Sequence, residues 1–165
     1  MSKVLAEIAR FQGAEAPGVV AGYVPTAGEI DPTPAMQEVR EMGWKLALPI
    51  CGPDASMEFA PWAPDDALVA NRYGIGEPLT TPLHPSVVDL VLVPGVGFGR
   101  DGSRVGHGVG YYDRYFARCR SLGHDPFRIG VAYDLQVVTL PEPEPWDVGM
   151  DVIICPSEVI MIGDR

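Results

Sequence analysis

The stretch that decides the fold covers residues 87–122 and reads VVDLVLVPGVGFGRDGSRVGHGVGYYDRYFARCRSL. Its opening is apolar and rich in β-branched side chains, which predicts a buried strand over 87–93, terminated by a Pro-Gly pair. Closely spaced glycines then predict a loop, and apolar residues at helical spacing predict a helix that ends before Gly123. A strand, a glycine-rich loop and a helix in this order bring backbone N–H groups to one point, which favours phosphate binding.

Arginines are concentrated in and just after this stretch, although the chain has a formal net charge of −10. Half of the 12 Lys and Arg residues lie here: Arg100, Arg104, Arg114, Arg118, Arg120 and Arg128. A locally basic segment on an acidic chain suits a small polyanionic ligand, whereas a nucleic acid favours a broad basic face. We therefore expect no nucleic-acid partner.

Two common phosphate motifs do not describe this loop. Gly97, Gly99 and Gly102 have the spacing of the dinucleotide fingerprint, but no helical pattern begins at Gly102 and no opening βαβ unit precedes it. The sequence contains no GxxxxGK[ST], which excludes a P-loop. A long turn whose glycines serve only backbone geometry remains an alternative, although Arg104 and Asp113 lie around the cluster.

Length and composition indicate a single globular domain over residues 1–165. No apolar run reaches membrane-spanning length, and the N-terminus lacks a signal-peptide core, so we expect no membrane partner. Cys51, Cys119 and Cys155 are odd in number and widely spaced, which is typical of reduced core thiols in a cytoplasmic protein.

The remaining pattern alternates strands with helices. Apolar runs predict strands over 19–24, 45–50, 57–59, 127–133 and 152–155, and helical spacing predicts helices over 4–11 and 33–42. Apart from its one short strand, the Pro- and Gly-rich segment 53–85 is predicted to be an irregular connection that contacts a ligand. The alternation favours an α/β fold with a largely parallel sheet.

Residues 94–98 (PGVGF) and 102–114 (GSRVGHGVGYYDR) closely resemble the 5-formyltetrahydrofolate cyclo-ligase family, also called methenyltetrahydrofolate synthetase. GYVP at 22–25, GEID at 28–31 and EPWD at 144–147 fit the same family in the expected order. The resemblance implies an α/β three-layer sandwich with a mostly parallel central sheet.

The resemblance also implies ATP-dependent cyclisation of 5-formyltetrahydrofolate to 5,10-methenyltetrahydrofolate, with release of ADP and phosphate. The formyl oxygen attacks the γ-phosphate, and ring closure by N10 with loss of phosphate completes the reaction. The implied cofactors are ATP and Mg²⁺, and a monomer is expected. Phosphoryl transfer of this kind needs positioning and charge neutralisation more than covalent help from the protein.

Several residues match functional positions of the family. The catalytic matches are Glu29, Arg104 and Tyr111. The ATP-binding matches are Arg104, Val105, Gly106, His107, Gly108, Val109, Gly110, Tyr111 and Tyr112. The folate-binding matches are Val24, Glu29, Met57, Tyr73, His107, Gly108, Val109, Gly110 and Tyr111. The Mg²⁺ matches are Asp113 and Asp147, whose hard oxygens are ligands that Mg²⁺ accepts.

Each of these assignments has a structural alternative. Arg104 could be a solvated loop charge, and Asp113 could serve only the dipole of its helix. Tyr111 and Tyr112 could be core residues. Glu29 could be an exposed turn residue, although a bend after the first strand is a common place for a ligand-facing side chain. We assign no proton transfer to His107, which lies between two loop glycines.

Two features depart from the family pattern. Members usually begin with a basic helix that holds nucleotide phosphates, which this chain is expected to lack, since Lys3 and Arg10 do not reproduce its basic pair. Val109 stands where many relatives have Lys or Gly. Three hypotheses follow: an active cyclo-ligase, a non-catalytic folate- or nucleotide-binding relative, and a sugar-phosphate isomerase-like protein. The third lacks a separate base–acid pair beside the loop.

Overall fold

A computed structural model describes Lys3, Glu7, Ile8 and residues 17–163 of the chain. Its α-helices within 17–163 are α1 (Thr33–Glu41) and α2 (Tyr111–Ser121). Its strands are β1 (Val19–Ala21), β2 (Lys45–Cys51), β3 (Met57–Pro61), β4 (Leu68–Ala70), β5 (Gly76–Pro78), β6 (Leu90–Val93), β7 (Gly97–Phe98), β8 (Arg104–Val105), β9 (Phe127–Val131), β10 (Val152–Ile154) and β11 (Val159–Met161).

Seven strands form one sheet in the order β11-β10-β9-β6-β1-β2-β3. The five central strands are parallel, and β3 and β11 pair antiparallel at the two edges. Strands β1 and β6 are neighbours at the centre of the sheet. The chain continues from β1 toward the β3 edge and from β6 toward the β11 edge, so its direction across the sheet reverses between these two strands. Beside such a reversal the carboxyl ends of parallel strands leave a crevice, where ligands bind in open α/β sheets.

The two faces of the sheet carry separate hydrophobic cores. Val20 packs in one core with Met36 of α1, whereas the adjacent Ala21 packs in the other with Phe116 of α2. Successive strand residues point to opposite faces, so each central strand contributes to both cores. Burial of a side chain the size of Phe116 stabilises the fold by about 1.5–3 kcal/mol. Helix, sheet and helix thus form the predicted three layers around a mostly parallel sheet.

Most predicted elements are confirmed, with shifted ends. Strand 19–24 ends at Ala21, strand 87–93 begins at Leu90 after a 3₁₀ turn, and helix 33–42 ends at Glu41. The predicted helix 4–11 lies largely outside the described residues. Of that segment, Glu7 and Ile8 are helical and buried.

The prediction of an irregular 53–85 was partly wrong, because this segment also contains a β4–β5 hairpin and β3 extends to Pro61. The hairpin strands are only three residues long, too short to establish an alternating pattern. The predicted glycine loop likewise includes a small hairpin, in which Gly97 pairs with Val105 and Phe98 pairs with Arg104. Strand β11 had not been predicted.

Candidate active site

A cavity of about 1010 Å³ opens at the carboxyl ends of β1, β2 and β6. Tyr23 and Val24 reach it just after β1, Cys51 at the end of β2, and Pro94 just after β6. The volume is at the upper end of the range for small-molecule sites. Every predicted site residue, from Val24 to Asp147, lines this one cavity.

Arg104 is buried in the cavity wall, with 6% of its side chain exposed. Its Nη2 donates to Asp113 Oδ2 at 3.1 Å and its Nη1 donates to the Pro94 carbonyl at 3.4 Å. Its guanidinium lies 5.5 Å from the ring centroid of Tyr112. Its Nε is buried without a hydrogen-bond partner among the residues that the structure describes. Arg104 is therefore not a solvated loop charge, and it retains one unused donor.

The glycine loop is shaped by Arg104 on one side and by α2 on the other. A Cβ at Gly106 would lie 2.6 Å from Nη1 of Arg104. The absence of a side chain at Gly106 therefore lets the loop pass close to the Arg104 guanidinium. Gly110 is the N-cap of α2 with φ 77°, a left-handed conformation that favours glycine. Arg114 Nη1 donates to the Val109 carbonyl. Val109 itself has no positive φ, so its β-branched side chain fits the loop without strain.

Glu29 lies at the bend between β1 and α1, with only 10% of its side chain exposed. Its Oε2 accepts the Thr26 N–H at 2.7 Å, and its Oε1 lies 3.5 Å from His107 Nε2. The His107 ring is 67% exposed. Glu29 is therefore not an exposed turn residue, and it brings the β1–α1 connection next to the glycine loop.

The two tyrosines at the start of α2 differ in their surroundings. Tyr112 lies between Arg104 and Phe116, with ring centroids 6.3 Å apart for the aromatic pair. Burial raises the pKa of its phenol, against the opposing charge of Arg104, so the hydroxyl stays neutral. Tyr111 lies at the cavity rim and accepts a hydrogen bond from Arg72 Nη2 at 3.4 Å.

Asp113 and Asp147 are the cavity carboxylates predicted to bind Mg²⁺. Asp113 Oδ1 accepts the Val148 N–H at 3.1 Å, and its Oδ2 accepts from Arg104. Asp147 Oδ2 accepts the Glu144 N–H at 2.8 Å. No cluster of three or more His, Cys, Asp or Glu ligands exists within the described residues. Two carboxylates nevertheless fit Mg²⁺, because each oxygen has a second lone pair and this ion takes its other ligands from water and phosphate.

Asn71 and Glu77 line the cavity and were missed as site residues. The Asn71 side chain accepts the N–H groups of Tyr73 and Ile75 at 2.8 and 3.1 Å and donates to Glu77 Oε1 at 2.7 Å. Glu77 Oε1 also accepts the Cys51 N–H at 2.9 Å, which joins the β4–β5 hairpin to the end of β2. An Asn that begins a turn ending in glycine is the local signal that could have identified this support.

Comparisons with known proteins agree with this architecture. A profile described as the 5-formyltetrahydrofolate cyclo-ligase family matches residues 1–156. The chain belongs to that family. The 5-formyltetrahydrofolate cyclo-ligase of Escherichia coli K12 is 31% identical over 145 residues, which cover 85% of this chain and 79% of the relative. The Caenorhabditis elegans protein named as a probable 5-formyltetrahydrofolate cyclo-ligase is 34% identical over 151 residues, covering 84% and 73%.

Two solved structures share the fold of the family. The 5,10-methenyltetrahydrofolate synthetase of Aquifex aeolicus superposes with a TM-score of 0.78 at 31% identity, covering 99% of this chain and 81% of that one. The synthetase of Mycoplasma pneumoniae gives 0.65 at 25% identity, covering 96% and 82%. The chain is thus a ligase of the cyclo-ligase family, which favours the catalytic hypothesis over a non-catalytic relative and removes the isomerase-like one.

The described helices include none that is both long and apolar enough to cross a membrane. Lys3, which was not expected to replace the basic pair of the family, donates to the carbonyls of Cys155 and Pro156 at 3.4 and 3.1 Å. Arg10 lies outside the described residues.

Proposed function

We propose that this cavity performs the ATP-dependent cyclisation of 5-formyltetrahydrofolate, with the triphosphate at the glycine loop and the formyl end of the folate near Glu29. One observation carries the proposal. Arg104, the glycine loop and Glu29 line the same cavity, so a cation, a loop that permits close approach and a carboxylate meet at one site. A bound nucleotide would place its phosphates against the loop and near the charge of Arg104.

Arg104 is the residue that we assign to charge neutralisation. Phosphoryl transfer spreads negative charge over the oxygens of the transferred group, and a fixed guanidinium in a site that excludes water stabilises this charge strongly. Contacts with Asp113, Pro94 and Tyr112 hold the Arg104 side chain in place before any ligand arrives. The glycine-rich backbone can approach the phosphates closely along Gly106, His107, Gly108, Val109 and Gly110.

Glu29 is assigned to the reacting end of the folate. Its carboxylate is held by Thr26 and has little exposure, so it presents a fixed acceptor to N–H groups of the substrate. Tyr111 is the third catalytic residue that we propose, and we place it where the nucleotide and folate portions of the cavity meet. Val24, Met57 and Tyr73 offer apolar and aromatic surface on the folate side, which suits a flat ring system.

Asp113 and Asp147 would hold Mg²⁺ together with phosphate oxygens and water. The ion would supply additional neutralisation of phosphate charge, and the protein's own part is the Val148 N–H bond to Asp113, which holds the segment that carries Asp147 against α2. A size-exclusion profile with the mass of one chain would support the monomer that we propose. The three free thiols support a reducing, cytoplasmic location, and the net charge of −10 supports the absence of a nucleic-acid partner.

Incubation of the purified chain with MgATP and 5-formyltetrahydrofolate tests the proposal. We expect the absorbance of methenyltetrahydrofolate to rise, one ADP to appear per product, and neither signal to appear without ATP. Tight binding of both ligands without product would instead support the non-catalytic hypothesis. Absence of both binding and turnover would overturn the assignment of the cavity.

A further inference from the structure

Arg72 lies in the turn of the β4–β5 hairpin, beside two residues that line the cavity. Its Nη2 reaches Tyr111 Oη at 3.4 Å, and its guanidinium lies 4.8 Å from the ring centroid of Tyr73. Tyr73 and Tyr111 both line the cavity, on the hairpin and on α2 respectively. The guanidinium therefore joins two walls of the cavity at its rim.

Within the described part of the chain, Arg72 has no carboxylate partner. Arg100, Arg104, Arg118 and Arg128 each have an acidic oxygen within ion-pairing distance. A cation without a carboxylate partner, beside a cavity, is a notable feature in a chain whose net charge is −10. It produces a local positive potential where a ligand would enter.

The two arginines that line the cavity, Arg104 and Arg114, are already engaged. Arg104 is paired with Asp113 in the wall, and Arg114 donates to the Val109 carbonyl beside the glycine loop. Both belong to the part of the cavity assigned to the nucleotide. Arg72 instead neighbours Tyr73, which is on the side assigned to the folate.

The turn that carries Arg72 is held in one conformation. Asn71 bonds the backbone of Tyr73 and Ile75 and the carboxylate of Glu77, and Glu77 in turn binds the end of β2. Because this turn is already ordered, less conformational entropy is lost when Arg72 forms a new contact. Arg72 is thus presented at the rim in advance of any ligand.

Resting on the function proposed above, we propose that Arg72 is a specificity-determining residue that binds the carboxylates of the folate's glutamate tail. 5-Formyltetrahydrofolate consists of a pterin, an aminobenzoyl ring and an anionic glutamate. With the pterin near the buried Glu29, the glutamate points toward the mouth of the cavity. A guanidinium fork matches a carboxylate geometrically, and the adjacent ring of Tyr73 provides an aromatic surface for the aminobenzoyl group.

A longer glutamate chain brings further carboxylates past the same cation. We therefore expect the protein to prefer polyglutamylated over monoglutamylated substrate. The preference comes from an exposed ion pair, so it is modest and weakens as salt is added.

Steady-state kinetics and calorimetric binding with the mono- and triglutamate forms test this inference in the wild type, Arg72→Gln, Arg72→Lys and the exposed control Arg40→Gln. For Arg72→Gln, we expect KM and Kd for the triglutamate to rise about three- to fivefold, and those for the monoglutamate to rise less. KM for ATP and kcat should stay unchanged. Arg72→Lys should fall between Arg72→Gln and the wild type, and Arg40→Gln should match the wild type.

Unchanged folate KM and Kd in Arg72→Gln would overturn the inference, and so would a selective rise in KM for ATP. The outcomes separate it from the proposed function. Failure of the wild type to turn over or bind folate overturns both, whereas normal wild-type turnover with no effect of Arg72→Gln overturns only the proposed binding of the glutamate tail by Arg72. Calorimetry decides the role of Arg72 even if turnover is absent.

Discussion

The guanidinium of Arg104 lies 3.1 Å from the carboxylate of Asp113, and the two side chains are only 6% and 20% exposed. The pair joins the small β7–β8 hairpin to the first turn of α2. It therefore fixes both ends of the segment that contains the glycine loop. The pair thus holds the Arg104 guanidinium in the wall of the cavity beside that loop.

We predict that Arg104→Gln lowers kcat at least about 100-fold, since it removes a fixed donor from a site of charge development. It should also lower the free energy of unfolding by about 2 kcal/mol, because Asp113 keeps a charge without its partner. Adding Asp113→Asn should recover part of the stability but none of the activity. Denaturant unfolding and turnover of Arg104→Gln, Asp113→Asn and the double variant measure this. Independent, additive losses of stability would contradict a coupled pair.

Glu29→Gln is expected to lower kcat/KM for folate about 10- to 100-fold while the KM for ATP stays the same, because the amide retains shape but loses the charge. His107→Asn serves as the matched control, since it removes the other side of the 3.5 Å contact without altering the carboxylate. We expect its kcat/KM for folate to stay within about threefold of the wild type, since the His107 ring is 67% exposed. An equal effect of both variants would mean that Glu29 acts only through His107.

Asn71→Ala removes the acceptor of two turn N–H groups and the donor to Glu77. We expect a loss of about 1–3 kcal/mol in the free energy of unfolding and a higher KM for folate. Asn71→Asp is the comparison, because it keeps the acceptor and loses the donor to Glu77. Chemical denaturation with parallel kinetics distinguishes them. Wild-type stability in Asn71→Ala would show that the turn does not depend on this side chain.

Burial, and then the neighbouring Glu77 carboxylate, raise the pKa of the Cys51 thiol to about 11, against the opposing charge of Arg72. The native state therefore holds this proton more tightly than the unfolded chain. The resulting stability is full below the unfolded pKa and is lost as the pH rises through the folded one.

At pH 8 we expect iodoacetamide to label Cys51 about 100-fold more slowly than free cysteine, because the thiolate is the reactive form. Mass spectrometry of the Cys51 peptide over a pH series measures the rate. Labelling at the rate of free cysteine at pH 8 would contradict the raised pKa.

Much of the fold could be predicted because its signals are local. The apolar run before Pro94 and the helical spacing after Gly110 each identify an element from a few adjacent residues. The parallel sheet followed from their alternation. Strand β11 and the β4–β5 hairpin were not predicted. Strands β1 and β10 are equally short but fully buried, whereas the residues of β4, β5 and β11 are mostly half-buried or exposed and are defined by their strand partners.

The candidate site was likewise predictable only in part. The motif around Arg104 and the bend at Glu29 could be recognised from the sequence, and the structure brings both to one cavity. The low exposure of the Glu29 and Arg104 side chains depends on packing between distant segments. Neither that burial nor the contact between Glu29 and His107 is encoded by a local pattern.

The most direct test of the central claim is a crystal structure of the protein with Mg²⁺ and a non-hydrolysable ATP analogue. We predict that the terminal phosphates lie beside the Arg104 guanidinium, with the backbone of residues 106–110 around them and Glu29 facing the same cavity. A nucleotide bound elsewhere, away from Arg104 and the glycine loop, would contradict the account.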